Sequence, residues 1–122
     1  MRILFLGDVV GNSGCSKILK NLLSQKELNK IDFVIVNGEN AAEAGVGLTK
    51  EICEDFFKCG VDVITTGNHV WDQKDIMKFI DNENRLLRPK NLFEPAPGKG
   101  FEVFQNENCL LYTSDAADDR SC

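Results

Sequence analysis

Three polar pairs stand directly behind apolar runs: Gly7-Asp8 after "ILFL", Glu39-Asn40 after "DFVIVNG", and Asn68-His69 after "VITTG". Carboxylates at Asp8 and Glu39 would repel each other in one cleft, and such a pair either shares a proton or holds a cation. A divalent ion resolves that repulsion, and the amide oxygens of Asn40 and Asn68 are neutral ligands that can complete its coordination. His69 is the single histidine of the chain. It can ligate a metal or give a proton to a leaving group. Trp71, the single tryptophan, follows two residues later and is expected to pack the turn rather than stack on a base.

Each residue also has a plainer reading. Asp8 can cap the next helix, Glu39 can be solvated while Asn40 makes a turn, and a lone loop histidine is more often incidental than catalytic. Against these stands the combination of Asp at one apolar run's end, Glu-Asn at the next and Asn-His at the third. Turn chemistry alone does not ask for that set.

The elements that must position these residues follow from hydrophobic pattern. Ile3 to Leu6 and Asp32 to Val36 are apolar without alternation, which predicts strands buried on both faces. Val61 to Thr65 predicts a third strand. Ser13 to Asn29 reads as a helix, with Ile18 and Leu22, then Leu19 and Leu23, at i, i+4 spacing. Thr49 to Cys59 predicts a second helix, with Thr49 as N-cap and Gly60 as stop. Asp72 to Ile80 predicts a third, capped by Asp72. "RLLRP" is a short fourth strand, "PAPGKG" a turn, and "FEVF" the start of a fifth. Strands alternating with helices predict an α/β fold, a parallel βαβαβ sheet flanked by helices with right-handed crossovers. In such sheets ligands bind outside the carboxyl ends of the strands, where all three polar pairs fall.

The chain has 122 residues, 43% hydrophobic and 27% charged, with a net charge of -5, the balance of one modest globular domain. The acidity argues against an extended nucleic-acid surface but leaves room for a small phosphorylated ligand held through metal. No apolar stretch reaches the ~20 residues of a membrane span, and "MRILFLGDVV" reads as a strand rather than a signal peptide. Five cysteines without metal-type spacing suit reduced thiols in a cytoplasmic protein. Cys53 and Cys59 read as small apolar residues of the second helix.

Residues 109–122, "CLLYTSDAADDRSC", show no helical or strand period. They resemble translated sequencing-adapter DNA. The expectation is a domain truncated to residues 1–108 and a non-native tail at 109–122 that adds little stability.

"GDVVG", "NGENA", "GVGLT", "GVDVITTGNHVWD", "LLRPKN" and "PGKG" together resemble the YmdB-like branch of the calcineurin-type metallophosphoesterases, colinearly from residue 1 to about residue 105. The resemblance implies the N-terminal half of a metallophosphoesterase sandwich. It implies a cytoplasmic bacterial enzyme with two divalent metal ions (Fe, Mn or Mg) that hydrolyses phosphodiesters, notably 2',3'-cyclic nucleotides. It makes Asp8 a ligand of the first metal, Glu39 the bridge between both, Asn40 a further ligand or phosphate contact, and Asn68 a ligand of the second metal. His69 then stabilises the phosphoryl transition state or protonates the leaving oxygen. The wider superfamily completes its metal shells with later histidines, which this chain lacks, so the chain alone is expected to be inactive. Oxygen ligands alone suit Mg²⁺ or Mn²⁺ better than iron or zinc. The expected partner is a small phosphodiester or cyclic nucleotide, with no membrane, and a homo-oligomer of the complete protein is compatible with this reading.

Two rivals stand beside it. One is a non-catalytic α/β module that binds phosphate or nucleotide through the Gly11–Gly14 turn and a helix N-terminus. The other is a receiver-like signalling domain, which would want an acidic pair by the first strand and a lysine by the fifth; neither is evident.

Overall fold

A four-stranded parallel sheet organises the chain, with strands Ile3–Leu6 (β1), Phe33–Asn37 (β2), Val63–Thr65 (β3) and Leu86–Leu87 (β4) in the spatial order of the sequence. The computed structural model describes residues 1–93, 95–105 and 110–115. Ile3 pairs with Phe33, Ile35 with Val63 and Ile64 with Leu86. Helices Gly11–Asn29 (α1) and Lys50–Lys58 (α2) connect the first three strands. Right-handed crossovers between strands laid down in sequential order put every connection on one face. The packing agrees: Leu4, Leu6, Val34, Val36, Ile64 and Leu86 share one core cluster with Cys15 and Leu22 of α1 and with Cys53 and Phe56 of α2. The opposite face carries Phe33, Ile35, Val63 and Leu87, packed against Phe104.

That one-sided arrangement corrects the reading of β1 as doubly buried. At the edge of the sheet it alternates, with Ile3 and Phe5 exposed on the face away from the helices. It also sorts the two apolar stripes of α1: Leu22 is buried and Ile18 packs against the core, whereas Leu19 and Leu23 are exposed.

α1 begins at Gly11, earlier than expected, because Val10 is the N-cap residue without a side-chain capping bond. Asp8 is therefore not the cap. α2 begins as expected, with Thr49 Oγ1 accepting from Ile52 N at 3.3 Å; the chain leaves it through Gly60, whose φ of 109° suits glycine. Cys15, Cys53 and Cys59 are free thiols pushed to higher pKa, chiefly by burial. They behave as small core residues. Cys109 and Cys122 lie outside the described residues.

Two expectations about later elements are corrected. The third helix does not form; the segment folds as 3-10 turns over Gly67–His69, Lys74–Lys78 and Ile80–Asn82. Only Ile76 and Ile80 of it are anchored deep in the core, too few for a regular helical stripe. The "FEVF" strand, Phe101–Gln105 (β5), does not join the parallel sheet. It pairs antiparallel with Leu110–Ser114 (β6), with Phe101 opposite Ser114. Residues 110–114 thus form an element where none was expected. Backbone pairing with β5 supplies an order that side-chain period did not announce.

Candidate active site

Backbone bonds tie the carboxyl ends of the strands together. Gly38 N donates to Thr65 O at 2.8 Å, binding the end of β2 to β3. Gly11 N donates to Asn40 O at 2.9 Å, and Val10 bridges Asn40, so the start of α1 is held by the loop after β2. Asp8, Glu39, Asn40, Asn68 and His69 therefore all emerge at one edge. Asp8 and Asn68 are exposed, while Glu39, Asn40 and His69 are half-buried. Asp8 holds a left-handed φ of 51°, uncommon for a non-glycine residue.

Glu39 has the most telling surroundings. Its Oε2 is buried with no hydrogen-bond partner among the described residues. The carboxylate lies against Gly67, where an added Cβ would stand 2.6 Å from Glu39 Cδ; Gly67 also has φ +59°. Glycine at this point is what lets the second strand's carboxylate reach the third strand's "GNH" turn. A buried carboxylate oxygen without a donor is costly, and a bound cation removes the cost. Among the described residues, no group of three or more His, Cys, Asp or Glu side chains is gathered that could hold a metal. Asp8, Glu39, Asn40 and Asn68 bring to this edge oxygen atoms of the kind that hard divalent cations take.

His69 Nδ1 lies 2.7 Å from Asp72 Oδ2, and Asp72 N donates to His69 O at 3.1 Å. Asp72 thus belongs to the histidine's turn instead of capping a helix. Trp71 packs against the main core cluster, as the packing reading expected. The loop of "GVGLT" braces this turn. Gln73 Nε2 donates to Val46 O at 3.1 Å, Gly47 N donates to Glu39 O at 2.5 Å, and an added Cβ at Gly47 would meet Gln73 N at 2.9 Å. Gly47 also has φ +81°, so backbone strain and collision act together. Gly47→Ala should lower stability by about 2–4 kcal/mol, read as a fall in thermal unfolding midpoint. A midpoint unchanged from wild type would show that the loop does not brace the turn.

Asp115 is a participant that sequence reasoning missed. It is 7% exposed, and its Oδ2 accepts from Thr66 N at 2.8 Å and Gly67 N at 3.0 Å. It fixes the entry to the "GNH" turn across 48 residues of sequence. An aspartate in a stretch without period carries no signal that it will reach so far. Asp115 lies within residues 109–122, from which little contribution to stability is expected, and its two bonds to the turn make it the residue on which that expectation is tested. Asp115→Ala should cost about 1–3 kcal/mol, because two buried amide donors lose their acceptor; a denaturation midpoint equal to wild type would refute this.

Comparison with known proteins places these features in a family. A model of the family described as "YmdB-like protein" matches residues 4–113. The 2',3'-cyclic-nucleotide 2'-phosphodiesterase of Bacillus subtilis (strain 168) is 49% identical over 100 residues, covering 82% of this chain. A crystal structure of a hypothetical protein from Thermus thermophilus superposes with a TM-score of 0.87 at 34% identity over 95% of this chain. That of a novel phosphatase from Mycoplasma pneumoniae superposes with a TM-score of 0.86 at 35% identity over 96%. The chain spans 38% of the length of the Bacillus relative and 44% and 43% of the two solved chains.

Proposed function

Because the chain belongs to the YmdB-like family, we propose that it supplies one side of a two-metal phosphodiesterase centre acting on small phosphodiesters, with 2',3'-cyclic nucleotides as the favoured class. The observation that carries this is the buried, unpartnered Oε2 of Glu39 pressed against the "GNH" turn. The name of the Bacillus relative supports the substrate class. Asp8, Glu39, Asn40 and Asn68 are the residues that would hold the metals, with Glu39, lying against the "GNH" turn, as the proposed shared ligand. Divalent ions at such a centre activate water and neutralise phosphate charge. Asn40 and Asn68 add neutral oxygens, which suit Mg²⁺ or Mn²⁺ without further charge. His69 holds a proton for the leaving oxygen. Among the described residues no helix is long and apolar enough to cross a membrane. The division of the chain at residue 108 stands as a proposal beside this one; the genomic sequence past that codon tests it.

The binding-module rival is not favoured by the start of α1. Gly11 N, one of the helix's otherwise free N-terminal amides, is already bonded to Asn40 O, so part of the N-terminal amide array is occupied. Calorimetry separates the two. In this chain Mn²⁺ should bind weakly, phosphate should bind only after Mn²⁺, and hydrolysis of bis-p-nitrophenyl phosphate should stay close to background. Phosphate binding without metal would favour the helix N-terminus, and robust His69-dependent turnover would mean that the site is complete within this chain.

A further inference from the structure

We infer that Asp72 is a positioning residue for His69: it holds the Nδ1 proton and leaves Nε2 as the nitrogen that meets the phosphoryl group. The inference deepens the reading of His69 as a proton donor and rests on it. Two observations carry it. His69 Nδ1 and Asp72 Oδ2 are 2.7 Å apart, a short charge-assisted distance. The backbone builds the pair, since Asp72 N donates to His69 O and the three-residue offset of the turn brings both side chains to the same side.

A neutral imidazole carries its proton on one nitrogen, and the partner of one nitrogen decides the role of the other. The Asp72 carboxylate accepts only, so Nδ1 must be the donor in this pair. Protonation of the ring then adds the mobile proton at Nε2, and giving it up returns the ring to the neutral Nδ1–H tautomer. In the proposed hydrolysis water adds its oxygen to phosphorus, the bond from phosphorus to the leaving oxygen breaks, and that oxygen takes the proton from Nε2. The proton released by the attacking water restores Nε2–H, and Asp72 keeps its hydrogen bond throughout. The pair is half-exposed, with side chains 36% and 40% accessible, so its contribution is direction and tautomer rather than stability. The bracing of residue 73 by Gly47 and Val46 keeps the carboxylate beside the ring.

The single histidine makes the test clean. In this chain labelled with ¹⁵N-histidine, without metal or substrate and at a pH well above the ordinary imidazole range, the spectrum contains one ring. We expect Nδ1 to resonate as a protonated nitrogen and Nε2 as a bare one. Asp72→Ala retains the backbone turn and should move both resonances toward the averaged positions of free imidazole. A wild-type ring protonated on Nε2, or evenly mixed, overturns the inference whatever the variant does. So does an alanine variant with the wild-type tautomer. Because neither metal nor turnover enters the measurement, a failure here is distinct from a failure of Mn²⁺ to bind, which would strike the phosphodiesterase reading itself.

Discussion

Replacing His69 by alanine in a full-length relative that carries the same "GNHVWD" turn should lower turnover by roughly 10²–10⁴-fold, the range for loss of a general acid. In barrier terms this is about 3–5 kcal/mol. The proposed roles divide cleanly, since His69 serves the leaving oxygen and the oxygen ligands serve the metals. Metal affinity should therefore stay close to wild type while kcat collapses. The ring is half-exposed, so its removal leaves little cavity, and thermal unfolding of the same variant should shift little. Steady-state assays beside a metal titration decide the matter. Loss of metal affinity in step with kcat would make His69 a ligand and remove it from the proton-transfer role.

Glu39→Gln should act in the opposite order and lose metal first. Its carboxylate is the charge that would offset two cations, and a neutral amide of the same shape cannot. Affinity for Mn²⁺ in the complete enzyme should fall on the order of 10²–10³-fold, about 3–4 kcal/mol. Without metal the sign reverses. Oε2 is buried with no partner among the described residues, so the neutral side chain should leave the metal-free protein as stable as wild type or about 1 kcal/mol more stable. Strain retained where function needs it is a familiar exchange at sites. Thermal melts with and without Mn²⁺ read both halves. A metal-free variant markedly less stable than wild type would show that Glu39 is a structural acceptor, and the ligand assignment would be withdrawn.

Local pattern was enough to place the three strands and the two long helices. Apolar runs bounded by Gly-Asp, Asn-Gly-Glu-Asn and Gly-Asn-His marked the strand ends, and parallel topology sends all such ends to one edge. Thr49 and Gly60 marked the limits of α2 because a cap and a left-handed exit are local devices. Asp8, Glu39, Asn40, Asn68 and His69 were therefore legible as candidates before any fold was known. Other features depended on partners distant in the chain. Asp72 looked like a helix cap because sequence spacing does not reveal that the next segment will fold as 3-10 turns and leave its carboxylate to the histidine. β1 looked doubly buried, since a run of Ile, Leu and Phe does not say that sequential strand order will place it at an edge. Asp115 was silent for the same reason: its role exists only once antiparallel pairing of β5 and β6 carries it back to the amides of Thr66 and Gly67. Composition and period decide which segments become strands and helices, whereas contacts across tens of residues decide which polar atoms end up buried, paired or without a partner.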